Sequence, residues 1–247
     1  MRVDRIISFI FIPLFVTAFI LAPGTSFGEE LTGKIIKVSR ECFVTRKGGG
    51  DWIEASAGMA VSLGSRLKTG EKSSMIVKLN GDAIKLGPMT EIEISDFMSE
   101  TVIGVTGKEA KKTSTIIGLV MGKIYGSVKK LTNGSIFEIR TDISIAGVRG
   151  TAFSVDRVGE NSFSTATVLW GVVSFLSLDP KTGNPIGNPV DVGRKKSSTI
   201  ESGKPAPTAG KAPGSLIKAL STAYNDITKT LESLFGGGDG GGGGSCP

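Results

Sequence analysis

Arg149 has the surroundings that most invite a chemical role in this chain of 247 residues. It is the one charged residue in the apolar run Ile145-Ala146-Gly147-Val148-Arg149-Gly150-Thr151-Ala152-Phe153. If its neighbours point into a core, the guanidinium needs carboxylate or carbonyl partners, and Asp142 and Asp156 are the nearest acids in sequence. Arg149 is therefore either an anion-binding residue, for a carboxylate or a phosphate, or a structural brace that bonds loop carbonyls. We favour the brace.

Two tryptophans are candidates for carbohydrate binding, because an exposed indole face can stack on a sugar ring. They are Trp52 and Trp170, and the chain has only two tyrosines beside them. Packing in the core or at a strand edge is the competing interpretation. Glu91 and Glu93 lie two residues apart and so share one face of a strand. No base accompanies them, so we expect them to be solvated rather than catalytic.

The absence of histidine limits the chemistry further. It excludes Ser-His-Asp and Cys-His catalysis and removes the usual zinc sites. A phosphate-binding loop is excluded as well, because Ala212 follows Gly210-Lys211 where a serine or threonine is needed. We therefore expect no catalytic, cofactor or metal site, and a protein that is not an enzyme.

Residues 1–28 have the three parts of a secretory signal peptide. Two arginines supply the positive start, Ile6 to Ala22 is almost wholly apolar, and Ser26-Phe27-Gly28 offers small residues for cleavage. An uncleaved membrane anchor competes, since the apolar run approaches the ~18 residues that a spanning helix needs. A proline within the run favours cleavage. The mature chain is expected to start near Glu29, periplasmic or secreted, with no integral membrane span.

The net charge and the cysteines do not identify a partner. The formal net charge of +6 suits contact with anionic envelope polymers but is too small and too evenly spread to predict nucleic-acid binding. The two cysteines are Cys42 and Cys246. They could form a disulfide, or Cys42 could be buried alone while Cys246 bonds another chain, and the sequence leaves these alternatives open.

The segment 29–201 predicts an all-β domain. Short β-prone runs alternate apolar and polar residues, as in Met75 to Leu79, and turns such as Asn80-Gly81-Asp82 separate them. A sandwich, a barrel or a solenoid-like roll would satisfy this pattern. The polar stretch Ser99 to Lys112 interrupts it and is expected to be a long surface loop.

Three further segments follow this domain. Residues 202–214 are rich in proline, glycine and alanine and predict a linker or an arm over the domain surface. Residues 215–235 predict one amphipathic α-helix, and the glycine-rich residues 236–247 predict a flexible tail. The helix has a single apolar stripe, made of Leu216, Leu220, Tyr224, Ile227, Leu231 and Leu234. It could dock on its own β-domain, bind another chain or lie on a membrane surface.

Four blocks of the β-rich segment resemble the FecR domain, named for periplasmic regulators of iron-uptake signalling. They are Asn80-Gly81-Asp82-Ala83-Ile84-Lys85-Leu86-Gly87-Pro88-Met89-Thr90-Glu91, Gly122-Lys123-Ile124-Tyr125, Phe137-Glu138-Ile139-Arg140-Thr141 with Ala146-Gly147-Val148-Arg149-Gly150-Thr151-Ala152-Phe153, and Val168-Leu169-Trp170-Gly171-Val172-Val173. The resemblance spans roughly Gly58 to Gly203.

This resemblance implies a β-sandwich or solenoid-like β-roll that serves as an interaction module. One departure is Asp142, which follows Thr141 where the family usually has proline. The cytoplasmic part with which the family's regulators hold a sigma factor is not recognisable here. We therefore expect an exported, non-enzymatic binding or scaffold protein whose partner is an envelope protein. A peptidoglycan- or polysaccharide-binding module is the alternative.

Overall fold

The computed structural model describes residues 29–30, 33–45, 50–103, 109–131, 134–159 and 163–235. The predicted signal peptide (1–28), the glycine-rich tail (236–247) and Cys246 lie outside the described residues, and the predictions made for them stay predictions.

The described residues are mostly β-strand with one C-terminal helix, so the all-β prediction is confirmed. In chain order the elements are β1 (Glu29–Glu30), β2 (Gly33–Ser39), β3 (Cys42–Val44), β4 (Ile53–Glu54), β5 (Ala60–Val61), β6 (Arg66–Thr69), β7 (Ser74–Leu79), β8 (Asp82–Leu86), β9 (Glu91–Ile103), β10 (Glu109–Val128), β11 (Ile136–Arg140), β12 (Ser144–Val148), β13 (Thr151–Val158), β14 (Phe163–Trp170), β15 (Val173–Leu178), β16 (Pro185–Val192), β17 (Lys196–Glu201), β18 (Gly210–Lys211) and α1 (Gly214–Phe235).

The strands form two sheets. Sheet A has the order β4-β3-β6-β9-β10-β11-β12-β15-β16, and β1 pairs with β9 beside β6. Sheet B has the order β5-β2-β7-β8-β10-β13-β14-β17-β18. The pairing of β10 with β11 is parallel, whereas the other strand pairs of the described residues are antiparallel.

Strand β10 belongs to both sheets. Its first part pairs with β9 as far as Met121, and its last part pairs with β13 from Gly122 onward. Gly122 has a φ of 91°, a conformation that glycine adopts without cost. A Cβ there would stand 2.5 Å from Thr90, so no larger residue fits. Gly122 therefore marks the point where the chain passes from one layer to the other.

A single hydrophobic core lies between the sheets, as in a β-sandwich. Phe137 of sheet A meets Phe153 of sheet B edge to face, with ring centroids 6.5 Å apart. Gly126 makes room for Phe153, because a Cβ at Gly126 would lie 2.3 Å from its ring. Each large side chain buried in such a core contributes about 1.5–3 kcal/mol to folding.

The prediction of a surface loop over Ser99 to Lys112 was wrong. Glu109 to Thr113 of β10 pair with Ile103 to Ser99 of β9, which extends the hairpin beyond the strands that flank it. We call Glu100–Ile103 with Glu109–Lys112 the ribbon. Most of its side chains are exposed. Because neither face of the ribbon is buried, its sequence lacks the apolar alternation that identifies a half-buried strand.

Residues 202–214 lie as an arm against the domain surface. Ser177 Oγ donates to the Lys204 carbonyl at 2.6 Å, and Ser198 Oγ donates to the Pro207 carbonyl at 2.8 Å. The arm then adds β18 to the edge of sheet B, next to β17. Helix α1 follows the arm and begins at Gly214, one residue before its predicted start at Ser215.

Helix α1 lies on the outer face of sheet B. Leu220, Ala223 and Ile227 are buried there, and Ile227 packs with Ile76 and Ala83. Asp226 contributes ion pairs of 2.6 Å to both Lys37 and Lys85. The helix is thus fixed to its own sheet by apolar contacts and by a bridging carboxylate.

Candidate functional site

The outer face of sheet A carries no helix within the described residues, and a groove crosses it. This groove has a volume of about 440 Å³ and is formed by β11, β12, β15 and β16 with the turns beside them. We call it the Gly147 groove. Its lining residues are Leu131, Ser135, Ile136, Phe137, Glu138, Gly147, Val148, Arg149, Val172, Ser174 and Asp191.

Gly147 forms the floor of this groove because it lies opposite Glu138 on one side and Ser174 on the other. Ala146 and Val148 point into the core, so Gly147 must face outward. A Cβ at Gly147 would meet its nearest neighbour, the Ser174 carbonyl, at 3.7 Å, which is an ordinary contact. The fold therefore does not require glycine here, and the missing side chain deepens the groove.

The other motif residues have structural roles. Gly150 has a φ of 64°, and a Cβ at Gly171 would lie 2.5 Å from the Gly150 carbonyl. Thr151 Oγ1 donates to the Val172 carbonyl at 2.9 Å. These contacts hold the β12–β13 turn against the β14–β15 turn. Val148 and Phe153 are buried in the core.

Arg149 is exposed at one end of the Gly147 groove. The acids expected beside it serve other cations: Asp156 pairs with Lys123 at 2.6 Å, and Asp142 pairs with Arg157. The two interpretations of Arg149, anion binding and a brace that bonds loop carbonyls, stay predictions, but the residue is exposed rather than buried. The alternation of β12 explains this, since Val148 takes the inward position and its neighbour must turn outward.

Arg157 is the buried arginine that sequence reasoning missed. Its Nε and Nη2 donate to the two carboxylate oxygens of Asp142 at 2.6 and 2.8 Å, and Nη1 donates to the Gly159 carbonyl at 2.8 Å. The hydrogen bond from Arg157 holds the pKa of Asp142 below its usual value. This bidentate pair ties β13 of sheet B to the β11–β12 turn of sheet A.

Two apolar residues on the rim of the Gly147 groove could have been identified from the sequence. Ile136 and Val172 are 43% and 47% exposed. Each directly precedes a run whose inward positions begin one residue later, at Phe137 and Val173. An apolar residue out of phase with its strand is thus the sequence signal for an apolar patch on the outer face.

The groove also carries charges of both signs. Glu138 pairs with Arg140 at 2.7 Å, and Asp191 lies exposed on β16 at the far side from Arg149. Apolar rim, open backbone floor and mixed charges are the features that bind an extended polypeptide segment.

The two tryptophans lie in different sheets and are not brought together. Trp52 precedes β4, and its ring is covered by Lys68 and Arg66, whose charged groups are 4.2 and 5.4 Å from the ring centroid. Trp170 is 36% exposed and meets Tyr224 of α1 edge to face, with centroids 5.9 Å apart. It belongs to the contact between helix and sheet.

The predicted helix stripe is divided by its surroundings. Leu220 and Ile227 are 1% exposed beneath α1, whereas Leu234 is 52% exposed at its end. The remaining members, Leu216, Tyr224 and Leu231, are partly buried. The middle of the stripe therefore packs against sheet B.

The described residues were also compared for a reactive cysteine, a metal site and a membrane-spanning helix. Cys42 is a free thiol with no exposure, and burial raises its pKa. Across the described ranges, no three potential metal ligands lie close enough to hold an ion. Nor does any described helix have the length and apolar character to cross a membrane.

Comparison with known proteins identifies the family of this β-domain. A family model described as FecR protein matches residues 65–174. The chain contains a FecR domain. The matched range is narrower than the predicted one but includes all four sequence blocks. Of the Gly147 groove, only Asp191 lies outside this FecR domain.

Two crystal structures of a candidate anti-sigma factor from Parabacteroides distasonis are similar to this chain. Both are 12% identical to it, with TM-scores of 0.47 and 0.46. The alignments cover 68% and 69% of this chain and 72% and 74% of those chains. A search of curated proteins finds no match to this sequence.

Proposed function

We propose that this protein is an exported, non-enzymatic binding or scaffold protein of the cell envelope that recognises another protein through its FecR domain. The Gly147 groove is the observation that carries this proposal. It lies on the sheet face that α1 leaves open, within the family-matched segment apart from one residue.

A polypeptide is the ligand class that suits this groove best. Ile136 and Val172 can cover apolar side chains of a partner, while Asp191 can pair with a positive charge. Because Gly147 has no side chain, a partner backbone can approach the sheet closely.

The proposal is tested by filling the groove. A valine at position 147 suits an outward strand position and projects into the groove, so Gly147→Val should keep the fold and abolish binding. A benzophenone amino acid at Val172 should crosslink one partner in intact cells, and Gly147→Val should remove that band. The matched control is Ser95→Val, an exposed residue of sheet A outside the groove, which should leave the band in place. Crosslinks that persist in Gly147→Val, or none at all, would overturn the proposal.

Polysaccharide binding through tryptophan is the second candidate. Trp170 supports it, because more than a third of this residue remains exposed. A sedimentation assay with purified peptidoglycan separates the two candidates. Binding that is lost in Trp170→Ala and kept in Gly147→Val would favour the carbohydrate, and the reverse would favour the protein partner. Trp52→Ala serves as the comparison, since cations cover that ring.

Export is part of the same proposal and has its own test. Cleavage after Gly28 would leave Glu29 as the N-terminal residue of the mature protein. Mass spectrometry of the protein from fractionated cells should find this species outside the cytoplasm. Recovery of an intact N-terminus from the cytoplasm would contradict it.

A further inference from the structure

A second cavity lies at the other side of the molecule, between α1 and sheet B. This cleft has a volume of about 590 Å³, which is within the size range of small-ligand sites. We call it the lysine cleft. It is lined by Lys72, Ser73, Ser74, Lys85, Gly87, Pro88, Tyr125, Ser215, Lys218, Ala219, Thr222 and Ala223.

Three cations from three separate elements converge in the lysine cleft. Lys72 comes from the β6–β7 turn, Lys85 from β8, and Lys218 from the first part of α1. Among the cleft residues there is no aspartate or glutamate, and the first turn of α1 contains no acid. The lining of the cleft therefore has a net positive charge, of which the neighbouring Asp226 offsets the share of Lys85.

Only one of these lysines has a carboxylate partner in the described structure. Lys85 pairs with Asp226 at 2.6 Å, and Asp226 also serves Lys37. Lys72 and Lys218 have no ion pair among the described residues. The cleft is thus lined by two exposed lysines without an ion pair among the described residues and by a third lysine that Asp226 neutralises.

The backbone conformation of Lys72 sets the direction in which its side chain leaves the β6–β7 turn. Its φ of 56° lies in the left-handed region, which costs a lysine roughly 1–2 kcal/mol relative to a right-handed conformation. Glycine or asparagine would adopt this turn at lower cost. Arg40, Asn80, Met89 and Lys195 adopt the same left-handed conformation, so the φ of Lys72 places its side chain in the lining of the cleft but does not by itself mark a ligand site.

From these observations we propose that the lysine cleft binds a phosphate group. Lysine ammonium groups bind phosphate as point charges and need no bidentate geometry, which fits three lysines on separate elements. Pro88, Ala219 and Ala223 contribute apolar surface to the lining, so the part of the ligand next to the phosphate is apolar or neutral. A bound phosphate also links α1 to the β6–β7 turn, because its lysines come from both.

The ligand source can be a soluble phosphate ester or a phospholipid headgroup, and the test separates the two. The mature protein is titrated at low ionic strength with inorganic phosphate and glycerol 3-phosphate, and separately with phosphatidylglycerol vesicles against phosphatidylcholine vesicles. Binding of the soluble compounds assigns a soluble ester. Binding of phosphatidylglycerol vesicles alone assigns a lipid.

Two double variants locate the site. Lys72→Asn with Lys218→Gln removes two cleft cations, and asparagine tolerates the positive φ. Lys181→Gln with Lys229→Gln removes the same charge from exposed positions outside the cleft. Affinity should fall at least about tenfold in the first pair and stay within about twofold in the second, since each hydrogen bond to a charged group is worth ~1.5–3 kcal/mol. Amide signals of Ala219 and Ala223 should shift with phosphate.

Equal losses in the two double variants would show attraction to net charge and overturn the proposal. Absence of binding to both the soluble compounds and the vesicles would overturn it as well. The Gly147→Val variant should bind phosphate normally, so this result is separate from the fate of the Gly147 groove.

Discussion

The outer face of sheet B is covered by a helix, whereas the outer face of sheet A is charged and has no helix over it among the described residues. The outer face of sheet B carries Ile76 and Ala83, which are 1% and 0% exposed because α1 lies over them. The outer face of sheet A carries ion pairs instead, such as Arg66 with Glu91 and Arg140 with Glu138. A charged face is stable in water without a cover, whereas an apolar face is not.

This difference teaches where to look for recognition. On sheet B, helix α1 of the same chain covers the apolar surface. On sheet A the Gly147 groove and its apolar rim interrupt a charged face without any cover from the described chain. The face that needs no helix for its stability is therefore the one that remains available to a partner.

The largest expected effect comes from the core that both faces share. Phe153→Ala removes a fully buried ring and leaves a cavity, so we expect the free energy of unfolding to fall by about 3–5 kcal/mol. Urea denaturation followed by circular dichroism measures this change. Partner crosslinking and phosphate binding should weaken together, because sheets A and B meet at this residue. Loss of only one of them would mean that the two layers are stable independently.

The cover of sheet B is tested by a pair of helix variants. Ile227→Ala should cost about 2–4 kcal/mol because Ile227 is buried against sheet B. Leu234→Ala changes the exposed end of the same stripe and should stay within about 0.5 kcal/mol. Denaturation at several protein concentrations measures both. Similar small effects of the two, or a dependence on concentration, would indicate that the stripe binds another chain.

The pH dependence of stability should differ between the two sheets. In sheet B, burial raises the pKa of the Asp82 carboxyl to about 6, although the Lys129 N–H donates to it at 2.8 Å. Because this folded-state pKa lies above the unfolded value near 3.8, the protonated form favours the native state. Its contribution is complete below pH ~4 and is lost as the pH rises through ~6. Asp82→Asn should therefore stabilise the protein by about 2 kcal/mol at pH 7 and change little at pH 4.

Asp142, at a turn of sheet A, provides the control of opposite sign. Arg157 lowers its folded-state pKa, so its stabilisation is present at neutral pH and is lost as the pH falls below ~4. Asp142→Asn should destabilise the protein at pH 7, and this loss should shrink as the pH falls below ~4. Unfolding curves from pH 3 to 8 compare the two variants. Parallel profiles for Asp82→Asn and Asp142→Asn would contradict the opposite pKa shifts of these two carboxyls.

The smallest effect is expected on the open face. Gly147→Ala should change stability by no more than about 0.5 kcal/mol, since a Cβ there has ordinary contacts. Gly171→Ala is the comparison and should destabilise clearly, because its φ is 88° and a Cβ would clash with the Gly150 carbonyl. Thermal melts of the two proteins measure this difference. A large loss in Gly147→Ala would show that the glycine is structural and would remove the argument for the groove.

The sequence predicted the features that depend on local periodicity. Alternation at Met75 to Leu79 and the three- and four-residue spacing from Leu216 to Leu234 predicted a strand and the helix, and both are present. The ribbon was missed because a two-stranded extension with both faces in water has no alternation to detect.

The candidate site was less predictable because its contacts join distant parts of the chain. Arg157 reaches Asp142 only because β13 ends above the β11–β12 turn, and no spacing in the sequence encodes that contact. The exposure of Arg149, by contrast, was not predicted because its apolar neighbours suggested burial on both sides of the strand. The outward positions of Ile136 and Val172 could have been predicted, because each residue lies one position before an apolar residue that alternates into the core.

Strand β10 has a mechanical consequence. Its 20 residues start in the ribbon, run through sheet A and end in sheet B without a break in the polypeptide. Tension applied at Glu109 would pass along one polypeptide from the hydrogen-bond ladders of sheet A into those of sheet B, so a load on the first layer reaches the second. A pulling experiment attached at this residue should accordingly unfold both layers and not sheet A alone.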